Sequence, residues 1–146
     1  MSEEYTLIYE AVENAAGPIP VAFPNRKYPE DGQPGDVPFY AVSIISTSKT
    51  GLGVAHNSTN RQMGMIQVSC YVRDDKGEIK AVEMADNIAD AFPRGTRLIG
   101  TELTVKIDQP PYKTQGFSAS TRLQNGIKIQ GGWYMIPVTI PYYIYT

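Results

Sequence analysis

From residue 133 the chain alternates without a break. Tyr134, Ile136, Val138, Ile140, Tyr142 and Ile144 hold the even positions, the period-two pattern of a strand with one apolar face. Pro137 and Pro141 fall on odd positions. Residues of one parity send their N–H groups toward the same neighbour, so both missing donors lie along one edge. That edge is expected to pair poorly while the other pairs normally. A long apolar strand with one blunted edge suits a protein that must control edge-to-edge association.

The same reading places the other elements. Ser2, Glu3 and Glu4 start a helix, with a capping hydroxyl and acids at the positive end of the dipole. Tyr5, Ile8, Val12 and Ala15 give it an apolar stripe, and Gly17-Pro18 ends it. A short extended piece covers 19–23. Residues 40–47 and 63–73 read as strands, the second with Ile66, Val68, Cys70 and Val72 on one face. A helix is predicted over 78–92, its apolar face formed by Ile79, Val82, Ala85, Ala89 and Phe92 and widened by Ala81 and Ile88. Glu83, Asp86 and Asp90 point outward, and Pro93 stops the helix. Short strands are expected near 103–107 and 127–130. Proline, glycine and small polar residues mark three long loops, 24–38, 49–60 and 108–130. The fold class expected is α+β in one domain, 1–146: a largely antiparallel or mixed sheet with two helices on one face and long loops.

Composition narrows the chemistry. The chain has 146 residues, 42% hydrophobic and 19% charged, which fits a single globular domain with its own core. A net charge of -2 gives no general reason to bind nucleic acid. The acidic start lacks a signal peptide's basic segment and apolar run, and no run reaches membrane-span length. One cysteine, Cys70, cannot form an internal disulfide, in keeping with synthesis in a reducing cytoplasm. With His56 as the one histidine, neither a structural zinc site nor a Ser-His-Asp triad is expected. His56 lies in a Gly/Ser/Asn-rich stretch, whereas a general base needs rigid neighbours. The segment from Gly116 to Ser120 lacks the last glycine of a nucleophile elbow, and Gly51-Leu52-Gly53 lacks the rest of a phosphate loop. Asp74 with Asp75, or Glu83 with Asp86 and Asp90, read as solvated acids before they read as metal ligands. No catalytic residue, metal ligand or cofactor is expected.

There are ten tyrosines, three of them Tyr142, Tyr143 and Tyr145. Tyrosine suits interfaces because it joins apolar area to a hydroxyl that stays satisfied when wet. Tyr134 and Tyr142 belong to the apolar face and read as packing. Trp133, Tyr143 and Tyr145 lie on the proline face, where contact with a subunit or partner is as reasonable as packing.

An ordered set of short motifs carries a resemblance. These are Val21-Ala22-Phe23-Pro24-Asn25, Tyr28-Pro29 and Pro38-Phe39-Tyr40-Ala41, then Arg61-Gln62-Met63-Gly64 leading to Tyr71-Val72. Ala85-Asp86-Asn87-Ile88-Ala89-Asp90-Ala91-Phe92 follows, and Gly132-Trp133-Tyr134, Val138 and Pro141-Tyr142 close the set. Together they resemble the small tail terminator (tail completion) proteins of long-tailed bacteriophages, including a group carried as a domain of unknown function. The chain departs in its longer proline-rich loop and in Ala41-Val42, where a basic residue is expected. The resemblance implies a non-enzymatic virion protein, made in the host bacterial cytoplasm and built into the tail or neck. It implies a homo-oligomer, a hexameric ring, on the head-proximal end of the tail tube. The ring would stop polymerisation and present a surface to the head-tail connector or head completion protein. DNA would pass through the opening without being specifically bound, and no membrane is involved. Asn25, Tyr28 and Arg61, near loop bases, join Trp133, Tyr143 and Tyr145 as interface candidates. Two other readings stand beside this one: another neck or minor tail protein of the same fold, and a host ligand- or peptide-binding α+β module.

Overall fold

The chain is described from a computed structural model, over residues 2–24, 37–51, 60–73, 78–119, 122–124, 127–129 and 133–145. Helix α1 (Ser2–Ala16) leads to the two-residue strand β1 (Val21–Ala22). Gly17, at φ 63°, supplies the left-handed residue that ends α1, and Ile19 N–H donates back to the Ala16 carbonyl at 3.2 Å. Strands β2 (Phe39–Gly51) and β3 (Asn60–Arg73) follow, then helix α2 (Ile79–Ala91). After α2 come β4 (Arg97–Ile99), β5 (Thr104–Ile107), β6 (Tyr112–Lys113), β7 (Phe117–Ala119), β8 (Arg122–Gln124), β9 (Ile127–Ile129) and β10 (Trp133–Tyr145).

Eight strands form one mixed sheet in the order β1-β2-β3-β10-β5-β4, with β6 and β7 also paired to β10. Only β1 with β2 is parallel; the other pairs in this sheet are antiparallel. Strands β8 and β9 form a separate antiparallel pair. The expected α+β architecture is present, but two predicted loops are shorter than expected. Strand β2 runs on to Gly51 and β3 starts at Asn60, so the hairpin arms extend into the predicted 49–60 loop; a register shift between Ser46 and Ser48 interrupts them. The predicted 108–130 loop carries β6 to β8, strands of two or three residues too brief to show periodicity, and β9, where a short strand was expected near 127–130.

Strand β10 is an interior strand rather than an edge. On one side it pairs with β3 continuously from Trp133↔Arg73 to Tyr145↔Arg61. On the other it pairs in pieces, with β7 at 133–135, β6 at 138–139 and β5 at 142–143. Both prolines face this broken side, as their shared parity requires. The Pro137 carbonyl accepts from Thr114 N–H at 3.1 Å and the Pro141 carbonyl from Asp108 N–H at 3.0 Å. Absent donors thus divide one side of the strand into short pairings, which cover the side that was expected to remain a blunted edge.

Both helices pack on one face of the sheet. The main core joins Ile8 and Val12 of α1, Ala81, Met84, Ala85, Ile88 and Phe92 around α2, and the inward residues of β2, β3, β5 and β10. The phases of both helices differ from the sequence reading. On α1 the buried row is Glu4, Ile8, Val12 and Ala16, while Tyr5 is 42% exposed. Glu4 enters the core because Tyr142 Oη donates to its Oε2 at 2.5 Å, the kind of partner a buried carboxylate needs. On α2 Ile79 is 74% exposed and Met84 is buried. The Met84 carbonyl accepts from Tyr40 Oη at 3.1 Å, which fixes that turn against the sheet.

Candidate functional site

Cross-strand register assembles a polar aromatic cluster at the end of β10. Tyr145 lies opposite Arg61 on β3, while Tyr143 lies opposite Met63 on β3 and Lys106 on β5. Odd positions of β10 face away from the helices, so these side chains share the outer face. The Arg61 guanidinium sits 4.4 Å from the Tyr143 ring centroid, and the Lys106 ammonium 5.9 Å from Tyr143 and 5.3 Å from Tyr145. The two phenol rings meet edge to face at 5.6 Å. Arg61 Nη2 also reaches Asp108 Oδ1 at 3.4 Å. Two cations, one carboxylate and two edge-to-face phenols make a surface that can grip a partner through cation–π, hydrogen-bond and apolar contact. No nucleophile and base are paired in it.

Three of the six sequence candidates, Arg61, Tyr143 and Tyr145, therefore come together. Trp133 does not join them. It lies at the opposite end of β10, roughly 40 Å along the strand at about 3.3 Å per residue, and is fully buried. A second, smaller core of Ala22, Phe39, Ala41, Tyr71, Trp133 and Met135 encloses it on the outer face. Phe39 meets Trp133 edge to face at 5.1 Å and stacks on Tyr71 at 4.8 Å, and the Arg73 guanidinium covers the indole at 4.2 Å. The expectation that Trp133 offers a contact surface is corrected: its area is spent inside this chain. Asn25 and Tyr28 lie outside the described residues. Lys106 and Asp108 were missed, because nothing in a linear pattern joins the short β5 to the end of β10.

The remaining chemical candidates resolve quietly. Burial pushes the Cys70 thiol up to about 12, so it stays a protonated core residue. Asp86 accepts from Lys113 Nζ at 2.8 Å, tying α2 to β6. Among the described residues no group of three His, Cys, Asp or Glu side chains could hold a metal, and no helix is long and apolar enough to cross a membrane. His56, Asp74 and Asp75 lie outside the described residues.

Comparison with known proteins then bears on the whole chain. A family model described as phage tail terminator protein matches residues 6–142. A solved structure 17% identical in sequence aligns over 96% of this chain and 94% of its own, with a TM-score of 0.69; at that identity the likeness shows the fold alone. No curated protein matches.

Proposed function

The chain belongs to the phage tail terminator family, and we propose that it works as a ring of six copies on the head-proximal end of the tail tube. The family makes it a structural protein of the phage tail rather than a host ligand-binding module. In the proposed mechanism the ring covers the polymerisation surface of the last tube subunits, so no further tube ring adds. Its opposite side then receives the head-tail connector or head completion protein. Catalysis plays no part: the work is done by binding.

The observation that carries this reading is the family match, which runs from within α1 to within β10 and so includes every layer of the fold. The outer cluster around Tyr143 and Tyr145 supports it as an adhesive surface of the right chemistry. Light scattering coupled to size exclusion, with and without purified tail tube protein, tests it. A species of six times the 16.1 kDa protomer mass, or a smaller species that caps and shortens growing tubes, is the expected result. A monomer indifferent to tube protein would overturn it.

A further inference from the structure

Two grooves on this chain have complementary chemistry and cannot meet within one molecule. The first, of about 410 Å³, lies at the β4 end of the sheet, lined by Arg97, Ile99, Lys106 and Tyr145 and by one carboxylate, that of Glu102, so cations outnumber acids two to one. Arg97 and Lys106 are register partners across β4 and β5, so both cations project from the same face. Neither makes an ion pair among the described residues. Beside them Ile99 is 75% exposed and Tyr145 44% exposed. Strand β4 ends the sheet. The Thr96 carbonyl and the Gly100 N–H bond toward β5, so by antiparallel alternation the backbone groups of Arg97 and Ile99 point to the open edge. An apolar knob flanked by cations on an open edge is a surface that natural sheets cover or guard.

The second groove, of about 260 Å³, runs between α1 and the segment just after β1, lined by Tyr9, Glu10, Glu13 and Phe23. Glu10 and Glu13 are one helical turn apart and exposed, and α1 contains no basic residue. Tyr9 and Phe23 form an edge-to-face wall at 5.3 Å. Helix α1 holds the grooves apart. Near its start Glu3 bonds to Thr101, Glu102 and Leu103 beside the first groove, while its later turns lie against β1, at the far end of the sheet.

We propose that the Arg97–Ile99–Lys106–Tyr145 groove of one copy docks on the Tyr9–Glu10–Glu13–Phe23 groove of the next. Cations meet carboxylates and aromatic faces, and Ile99 meets the aromatic wall. Two different surfaces in contact give a head-to-tail interface, which closes into a ring when the rotation allows. The inference rests on the ring reading above and specifies which surfaces make it.

Charge reversal tests it. Arg97→Glu with Lys106→Glu makes both grooves acidic; Glu10→Lys with Glu13→Lys makes both basic. All four positions are solvent-accessible, and thermal melts confirm that each variant folds. Each variant alone should run at protomer mass. An equal mixture should regain the six-protomer species, because alternating copies satisfy one native and one reversed contact in turn. If wild type assembles and either variant assembles equally well, or the mixture of folded variants stays monomeric, the groove pairing is wrong while the ring stands. If the Arg97/Lys106 variant assembles but no longer caps tubes, its groove meets tube protein instead, which also overturns the pairing. A wild-type protein that stays monomeric with and without tube protein removes the ring reading itself.

Discussion

Tyr142 shows how much one side chain can specify. Its ring lies over Gly64, its partner across β3 and β10, where a Cβ would come within 2.6 Å of the hydroxyl oxygen. That bare backbone lets the hydroxyl reach Glu4, and Ser46 also hydrogen-bonds it. Tyr142→Phe removes the donor and leaves a buried carboxylate unsatisfied, so a loss of about 1–3 kcal/mol is expected in urea unfolding. Glu4→Gln keeps an acceptor and should cost less; equal losses would mean that the charge-assisted part of the bond, not its geometry, carries the stabilisation. Trp133 gives a second test at this scale. As a fully buried indole between Phe39 and Arg73, its truncation to Ala should cost about 3–5 kcal/mol of stability. A melt unchanged in Trp133→Ala would restore it as a surface residue.

Among the elements, those with long periodic patterns were legible and those fixed by partners were not. The even face of β10, the row Ile66–Val68–Cys70–Val72 and the existence of both helices follow from alternation and helical spacing alone. The phase of α2 does not, because Ile79 and Ile88 look equivalent in a stripe and only docking separates them. Ile88→Ala should cost about 2–5 kcal/mol, while Ile79→Ala should stay within about 0.5 kcal/mol; similar losses would return Ile79 to the core. Strands β4 and β6 to β8 are too short for periodicity, and the polar aromatic cluster depends on one of the short pairings, β5 with β10. Glu3 is another case: the sequence offers it as a dipole partner, whereas the fold uses it as a tether. Its carboxylate accepts from Thr101 Oγ1 at 2.8 Å and from the backbone of Glu102 at 2.9 Å and Leu103 at 3.2 Å. These bonds, the one from Glu102 first, hold it below its ordinary value of 4.5. A lowered folded value means that the support is present above pH 4.5 and is lost as pH falls through the folded value. Glu3→Gln should therefore flatten the acid limb of a plot of melting temperature against pH, and an unchanged limb would assign acid sensitivity elsewhere.

At the scale of the whole molecule the sheet divides its labour by face. The helix-covered face holds most of the core, and the outer face holds Trp133 in a small second core at one end of β10 and Tyr143 with Tyr145 at the other. One strand thus joins a buried aromatic core to an exposed aromatic end, and under the proposed ring the two ends should respond to truncation in different ways. Tyr145 is the cleaner probe, since it is 44% exposed and touches mainly Tyr143 and Lys106. Its replacement by Ala should leave the unfolding free energy within about 0.5 kcal/mol of wild type. If the proposed ring uses this end, an aromatic side chain at the centre of the contact is worth about 2 kcal/mol or more. Subunit association should then weaken by roughly 30-fold, at about 1.4 kcal/mol per tenfold. Sedimentation across a dilution series, run beside a urea melt, separates the two effects. Unchanged association with unchanged stability would take the phenol end of β10 out of the contact and leave Asn25 and Tyr28 as the sequence candidates still to be probed.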